Sequence, residues 1–521
     1  MRPADFRRAI ILPVVLVMLG LLALTMAGFV FFVRAEGEGI RALSDGQQAR
    51  MAAESGLEEI IAILRTEPHN VAGLYDAPDR FRHALVWAQT YERDADPVRE
   101  VGSRKALFER SAVRIPAWRY SVVAPRYDGP ENTMRFGLTP ESAKLDLNHA
   151  EEWQIEELMT PLLTGLQLNN PQEIIDAILD WRDEDSEARD NGAENEYYNT
   201  LEPAYNAKNG DFDSVEELLL VKNVTAAVLY GEDVNRNGIL DENEDDGLDS
   251  FPYYDNGDGI LDYGIAPFLT VWSREVDTSL DNKQRISLYS DSATVQTQME
   301  AYAGTGQDGQ DPQESELALI SAETQAFILG IAGQQSVVSQ MRSAADLYIG
   351  AEGLDPNEAA ALPMELQSSP VTLEEMPYIM DRFSTRPPDA ANQPIYGLIN
   401  INAAPLRVLT VVPEMTPEAA AAIVAGRQEF APDVLRSVAW PLTTETVDWA
   451  TFRRIAPYIT TKAYQYHVEV VGYADHLKVS RRLEWILEMV GPIAQIKYHR
   501  DLTRLGLAWP LDDESVIVLS D

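Results

Sequence analysis

Residues 9–33 read AIILPVVLVMLGLLALTMAGFVFFV, and residues 42–65 read ALSDGQQARMAAESGLEEIIAILR. The first stretch holds no charge over 25 residues, more than the roughly 20 a helix needs to cross a hydrocarbon core. Arg2, Arg7 and Arg8 precede it against a single Asp5, so the positive-inside rule keeps this leader cytoplasmic and puts everything after Arg34 outside. A removed signal cut near Ala27 is the competing reading, but its apolar region is usually only about 7–15 residues. The second stretch lacks Pro and sets Met51, Ser55, Leu57, Ile60, Ile61 and Leu64 at helical spacing. Ala49, Ala52, Ala53 and Gly56 form a small-residue strip that another helix backbone can approach closely. Together they predict one long helix, anchored at its start and carrying a head on its other end.

Composition narrows what that head does. The chain has 521 residues and a net charge of −41, too long for one ordinary core and acidic enough to repel phosphate backbones. No cysteine is present, which removes disulfides, thiolate zinc sites and cysteine nucleophiles. Six His remain, none at the spacing of a hydrolytic zinc motif, and no GxSxG elbow occurs. His467 and His476 fall on an expected hairpin, where packing or solvent is their expected role. No enzyme is expected.

A basic leader, a hydrophobic helix and then AxxAAESGLE resemble the type IV pilin and pseudopilin group. The resemblance implies cleavage by prepilin peptidase between Ala9 and Ile10, with Ala9 standing where the group usually has Gly. It also places Val14 where most members have Glu, a departure typical of the K-type minor pseudopilin of type II secretion. Four later fragments are similar to that K type. They are AILDWRDEDSEARDNGAENEYYN from Ala177, AYNAKNGDFDSVEELLLVKNVT from Ala204, LININAAPLRVLTVVP from Leu398 and ITTKAYQYHVEVVGYA from Ile459. The stretch from about 231 to 395 is longer than the family carries there.

The residues themselves show a weak internal repeat. Leu145-Asp-Leu-Asn148 is echoed by Ile399-Asn-Ile-Asn402, each a short strand followed by an Asn able to cap a helix. Short Leu- and Ile-rich helices follow both copies, giving two small modules of the SAM-like or helix-hairpin-helix class. Such modules often hold DNA, but residues 211–262 contain 15 acidic residues against Lys222 and Arg236, so no nucleic acid is expected.

The sharpest metal signal is Asp233-Val-Asn235-Arg-Asn237-Gly-Ile239-Leu-Asp241-Glu-Asn-Glu244. Oxygen ligands fall at loop positions 1, 3, 5, 9 and 12, a Gly at 6, and a backbone carbonyl (Ile239) at 7, as calcium loops require. The helix SVEELLLVKNVTAAVLY is expected to enter the loop, with no exit helix after it. A partial second loop, Asp255, Asn256, Asp258 and Asp262, has Tyr254 where its first ligand should stand. The Asp180, Asp183, Asp185 and Glu194 cluster reads as solvated charge. Calcium is thus the one expected cofactor, in a structural role.

The expected fold is α+β: a pilin-like long helix on an antiparallel sheet built from WRYSVVAP, FLTVWSRE and a C-terminal hairpin, with two helical modules inserted. Its divisions are a leader (1–9), a membrane segment (10–33), a helix spine (34–66) and a pilin-like part (67–143). The first module (144–230), the calcium region (231–265) and a strand with linker (266–300) follow. A helical and loop insertion (301–395), the second module (396–460), a hairpin (461–492) and a tail (493–521) complete the chain. By resemblance its partners are the I- and J-type minor pseudopilins, prepilin peptidase and the inner membrane. Val14 offers no carboxylate to a neighbour's amine, and the head is large, which together imply one copy at the pseudopilus tip. The alternative is a membrane-anchored, calcium-stabilised structural or adhesive protein outside any pseudopilus.

Overall fold

One helix changes its environment along its length and thereby organises the molecule. In the computed structural model, which describes residues 8–88, 117–127, 134–247, 249–252, 254–302, 320–349, 362–474 and 477–506, helix α1 runs Arg8–Thr66. Its apolar half is long enough to cross a membrane and none of it is buried by the protein: Leu16, Leu24 and Phe31 are all exposed. From Ala49 onward one face is covered, with Ala49, Ala53, Leu57, Ile60 and Leu64 buried. Each of the three larger side chains contributes about 1.5–3 kcal/mol by leaving water.

What covers that face is a sheet. Strands β1 (Ala84–Ala88), β2 (Ala117–Pro125), β3 (Gln465–Ala474), β4 (Leu477–Val490) and β5 (Ile493–Asp501) pair in that order, all antiparallel. The small strip on α1 thus serves helix-on-sheet packing. A Cβ on Gly56 would lie 2.7 Å from the Tyr120 ring, and one on Gly472 of β3 would lie 2.1 Å from the Ala49 carbonyl oxygen. Met51, at helical spacing with Leu57 and Ile61 in the sequence, is exposed because this strip and not the Met51 face meets the sheet.

The two faces of the sheet differ in chemistry. Val470 pairs across from Leu483 and packs toward α1, whereas Glu469 opposes Glu484 and Val471 opposes Arg482 on the other side. That second face buries Glu469 and Arg482, which form an ion pair. The segment Val215–Leu220 reaches it through Glu216, which pairs with Arg500 at 2.6 Å.

The modules share a lock. Leu145–Asp146 pairs in parallel with Leu269–Thr270, Ile286–Ser287 with Phe383–Ser384, and Ile399–Asn400 with Ile459–Thr460. In each, the next amide bonds back across the pair: Leu147 to Thr270 O, Leu288 to Ser384 O and Ile401 to Thr460 O. In each, the hydroxyl of the second strand accepts from the amide two residues on, at Trp272, Arg386 and Lys462. There are therefore three copies of one lock among the described residues, and the two strands of the middle copy bracket much of the 301–395 insertion. A signal for it existed: Ile265-Ala-Pro-Phe-Leu-Thr270 echoes Ile455-Ala-Pro-Tyr-Ile-Thr460, and Met376-Pro-Tyr precedes the middle copy's Phe383-Ser384.

Four expectations are corrected here. FLTVWSRE is no part of the main sheet, because Leu269–Thr270 belongs to the first lock and Arg274–Glu275 pairs with Ile395–Tyr396. Residues 493–501 are the sheet's edge strand and not tail, since the hairpin's backbone still has an open side for them to pair with. SVEELLLVKNVTAAVLY breaks into a 3₁₀ segment Val215–Leu220 and one helical turn Ala226–Tyr230, with Asn223 at φ 63° between them. Asn148 and Asn402 cap nothing: each clamps a distant loop, Asn148 through both bonds to Phe212 and Asn402 through Leu435 O and Trp440 Nε1. His476 and residues 507–521 lie outside the described residues.

Candidate metal centre

The first module is held by Arg182 at the end of helix Pro171–Arg182, which donates to Leu147 O at 2.7 Å and Ala150 O at 2.8 Å. From this frame the chain leaves at Gly231 and returns at Tyr263, the two forming an isolated antiparallel bridge. Everything between them is an acidic excursion closed at its base.

Within it residues 233–244 are tied together by hydrogen bonds among their own side chains and amides. Asp233 accepts from the amides of Asn237 (2.9 Å) and Gly238 (2.9 Å), and Asn235 Oδ1 accepts from Asn237 N at 3.0 Å. Asn235 and Asn237 both donate to Asp241 Oδ2, at 2.6 and 2.9 Å. Glu244 folds back to accept from Val234 N at 3.0 Å and Asp241 N at 3.2 Å. Gly238 takes φ 70°, and a Cβ there would lie 2.4 Å from Pro125 Cβ, so position 6 admits glycine alone. Hydrogen bonds thereby tie Asp233, Asn237, Asp241 and Glu244 into one loop, with the Ile239 carbonyl beside them in sequence. The donor set is wholly oxygen, which suits a hard cation such as calcium. Burial pushes the Asp233 carboxyl up to about 6 despite its backbone hydrogen bonds. Burial and the Asp233 charge push Glu244 to about 7.

The second loop repeats this pattern with parts from elsewhere. Asp258 N donates to Asn256 Oδ1, Ile260 N to Asp258 Oδ1, and Asn256 Nδ2 to Asp262 Oδ2, each at 2.9 Å. These match the contacts of Asn235, Asn237 and Asp241. Where Tyr254 leaves the first position without a carboxylate, Asp245 Oδ1 receives the Gly259 amide at 2.8 Å. The closing glutamate is Glu232, which accepts from Asp262 N and Asn256 N, both at 3.1 Å. Burial pushes Glu232 up to about 7. Asp255 is turned away to accept from Gly247 N and Gly257 N, so it leaves the expected ligand set. Asp245 and Glu232 were illegible in the sequence because both precede the loop they complete.

Arg482 ties the first loop to the sheet. From β4 its guanidinium pairs with Glu469 and donates to Asn235 O at 2.7 Å and Arg236 O at 2.6 Å. The loop is thus fixed at once to the module through Gly231 and to the pilin-like sheet through Arg482.

A third acidic group departs from the expectation of solvated charge. Asp183, Asp185 and Glu194 bring a carboxylate oxygen each within 4.8 Å of one another. Glu194 is buried, and both its oxygens are sealed from water without a well-formed hydrogen bond. Asp180 is separately occupied, accepting from Ala193 N at 2.8 Å and from Arg189 at 2.9 Å. His467 is likewise engaged, 2.7 Å from Glu484.

Residues 143–230 match the family model described as Type II secretion system (T2SS), protein K. This stretch resembles a protein K module. It contains the Asn148 clamp, the Arg182 lock and the Asp183 cluster, and it ends just before the Gly231 gate to the calcium-type loops. Among solved structures, the chain aligns with the crystal structure of the GspK-GspI-GspJ complex from the enterotoxigenic Escherichia coli Type 2 Secretion System. That alignment has 9% identity over 89% of this chain and 98% of that chain, with a TM-score of 0.34, too loose to carry an argument. No curated protein matches the chain.

Proposed function

We propose that this chain is a K-type minor pseudopilin of a type II secretion system. The observation that carries the proposal is the protein K module joined to a long apolar-to-amphipathic helix laid on an antiparallel sheet. The helix anchors the protein once in the inner membrane, with the leader cytoplasmic and the head periplasmic. Its role is structural and not catalytic: it caps a short pseudopilus in company with I- and J-type pseudopilins and supports export across the outer membrane. Val14 supports tip placement, because it lies on the open helix surface and presents no carboxylate to a subunit above. A buried amine left unpaired costs several kcal/mol, and the tip is the position that avoids this cost.

Calcium, on this reading, staples the head. Asp233, Asn235, Asn237, Ile239 O, Asp241 and Glu244 hold one ion. Asn256, Asp258, Asp262 and the added Asp245 and Glu232 hold a second. Extracytoplasmic loops of this kind bind at about 10⁻⁴–10⁻³ M, which suits a permanent brace.

N-terminal sequencing of protein extracted from membranes tests the assignment. A mature terminus at Ile10, with I- and J-type subunits recovered in the same complex, is the expected result. An intact Met1 and no such complex would leave a membrane-anchored, calcium-stabilised structural or adhesive protein instead.

A further inference from the structure

A cavity of about 160 Å³ lies where the middle and last locks meet, lined by Phe383, Ser384, Ile459 and Thr460 from their second strands. Its lining charges run against the rest of the molecule. Five cations, Arg285, Arg342, Arg386, Arg436 and Lys462, face it with three carboxylates, Glu275, Asp277 and Asp381. The chain as a whole carries −41.

The carboxylates are already answered from within. Glu275 pairs with buried Lys462 at 2.6 Å and accepts from the Thr460 hydroxyl at 2.7 Å. Asp277 accepts from Ser384 Oγ at 2.6 Å and lies 3.6 Å from Arg285. Asp381 accepts from Leu280 N at 2.8 Å and lies 3.4 Å from Arg382. What remains is three guanidiniums with little to hold. Arg342 reaches only Glu414, at 3.6 Å, and Arg386 donates to the Gln393 carbonyl at 3.2 Å. The Arg436 carbonyl accepts from the Thr461 hydroxyl at 2.6 Å, while its guanidinium acts on Glu67 only as a nearby charge. These arginines come from three separate segments, before the 3₁₀ turn Ala344–Leu347, just after Phe383–Ser384, and just after helix Pro432–Leu435.

We propose that this cavity is an anion site for a carboxylate, with Arg342, Arg386 and Arg436 as its receptors. The planar guanidinium fork matches a carboxylate in two parallel hydrogen bonds, which a lysine cannot do. The cavity far exceeds the about 10–15 Å³ that one water needs, so it admits an acidic side chain or a small polycarboxylate. The net charge of −41 works against anion binding, so the affinity rests on these local cations and falls with salt. The site is independent of the calcium loops.

The test uses full-length protein in detergent at low salt, with citrate and an end-blocked Glu-Gly repeat peptide as probes in separate titrations. Binding of citrate points to a free small anion, and binding of the peptide alone points to an acidic segment of a partner. Either supports the site if Arg342→Gln, Arg386→Gln and Arg436→Gln together weaken it by about tenfold or more. A control changing Arg34, Arg41 and Arg504 to Gln alters net charge equally and should leave affinity within about twofold. Arg436→Gln alone keeps the backbone hydrogen bond from Thr461, so it keeps the fold and should still weaken binding measurably. Absence of binding by both probes, or equal loss in the control, overturns the proposal.

Discussion

The first and last modules are built on the same lock and closed in opposite ways. Arg182 and Arg427 play one part: Arg427 donates to Ala404 O at 2.7 Å and approaches Ile401 O at 3.5 Å, as Arg182 does to Ala150 and Leu147. Asn148 and Asn402 play another, each clamping a remote loop. The last module then fills its interior with fully buried Trp440, set against Gly426 of the Ala-rich helix Pro417–Glu429. The first instead opens at Gly231 into an excursion whose buried groups include Glu232, Asp233, Glu244 and Asp255. Like charges packed together in low dielectric repel, so the proposed cation would relieve that region where the other is filled by apolar volume.

The largest expected effect lies in the apolar module. Trp440→Ala should cost about 3–5 kcal/mol in urea unfolding, with the same loss in calcium and in chelator. A loss that depends on calcium would dissolve the contrast between the modules.

Next in size is acid sensitivity on the charged face that supports the first module. Burial alone would raise Glu484, but its hydrogen bond to His467 and the charges of His467 and Arg500 hold it down at about 2. Glu488 is held at about 2 against burial by hydrogen bonds from Arg274, Gln465 and Lys497. Both folded values lie below the unfolded one, so their stabilisation is complete above about pH 4.5 and drains away as pH falls toward 2. For Glu484 the loss is on the order of 3 kcal/mol across that window. Urea midpoints should fall between pH 4.5 and pH 3, where the raised carboxyls of the acidic loops are already protonated in the folded state, and Glu484→Gln should be weaker at pH 7 and fall less over that window.

Calcium itself should add about 2.7 kcal/mol at a concentration 100 times its dissociation constant. Asp233→Ala with Glu244→Ala should abolish most of the rise in melting temperature on adding calcium. Glu232→Ala or Asp245→Ala should remove only the part belonging to the second loop. An unchanged calcium response in all of these variants would sink the metal assignment while leaving the fold intact.

The smallest effect sharpens what the modules share. Asn148→Ala and Asn402→Ala each strand buried polar partners and should each cost about 1–3 kcal/mol. Comparable losses measured by urea unfolding would confirm one Asn clamp used twice. A cost at only one Asn would mean that the repeat is decorative in the other module.

Much of this molecule was readable from local pattern. The uncharged run 9–33, the spacing of Leu57, Ile60 and Leu64, the alternation through Val468 and Val470, and the ligand spacing from Asp233 to Glu244 all encode themselves within a dozen or so residues. Periodicity and loop spacing are local, so the sequence determined the anchor, the helix-on-sheet plan and the first calcium-type loop unaided. The tertiary structure decided whatever depends on residues far apart in the chain. It turned the small strip of α1 toward Gly472, made Asn148 and Asn402 clamps rather than caps, and drew 493–501 onto an open sheet edge. It also brought Asp245 and Glu232 to a loop that neither belongs to. The physical reason is the same each time: a backbone amide or a buried carboxylate must find a partner, and the partner it finds is set by packing and not by sequence neighbourhood.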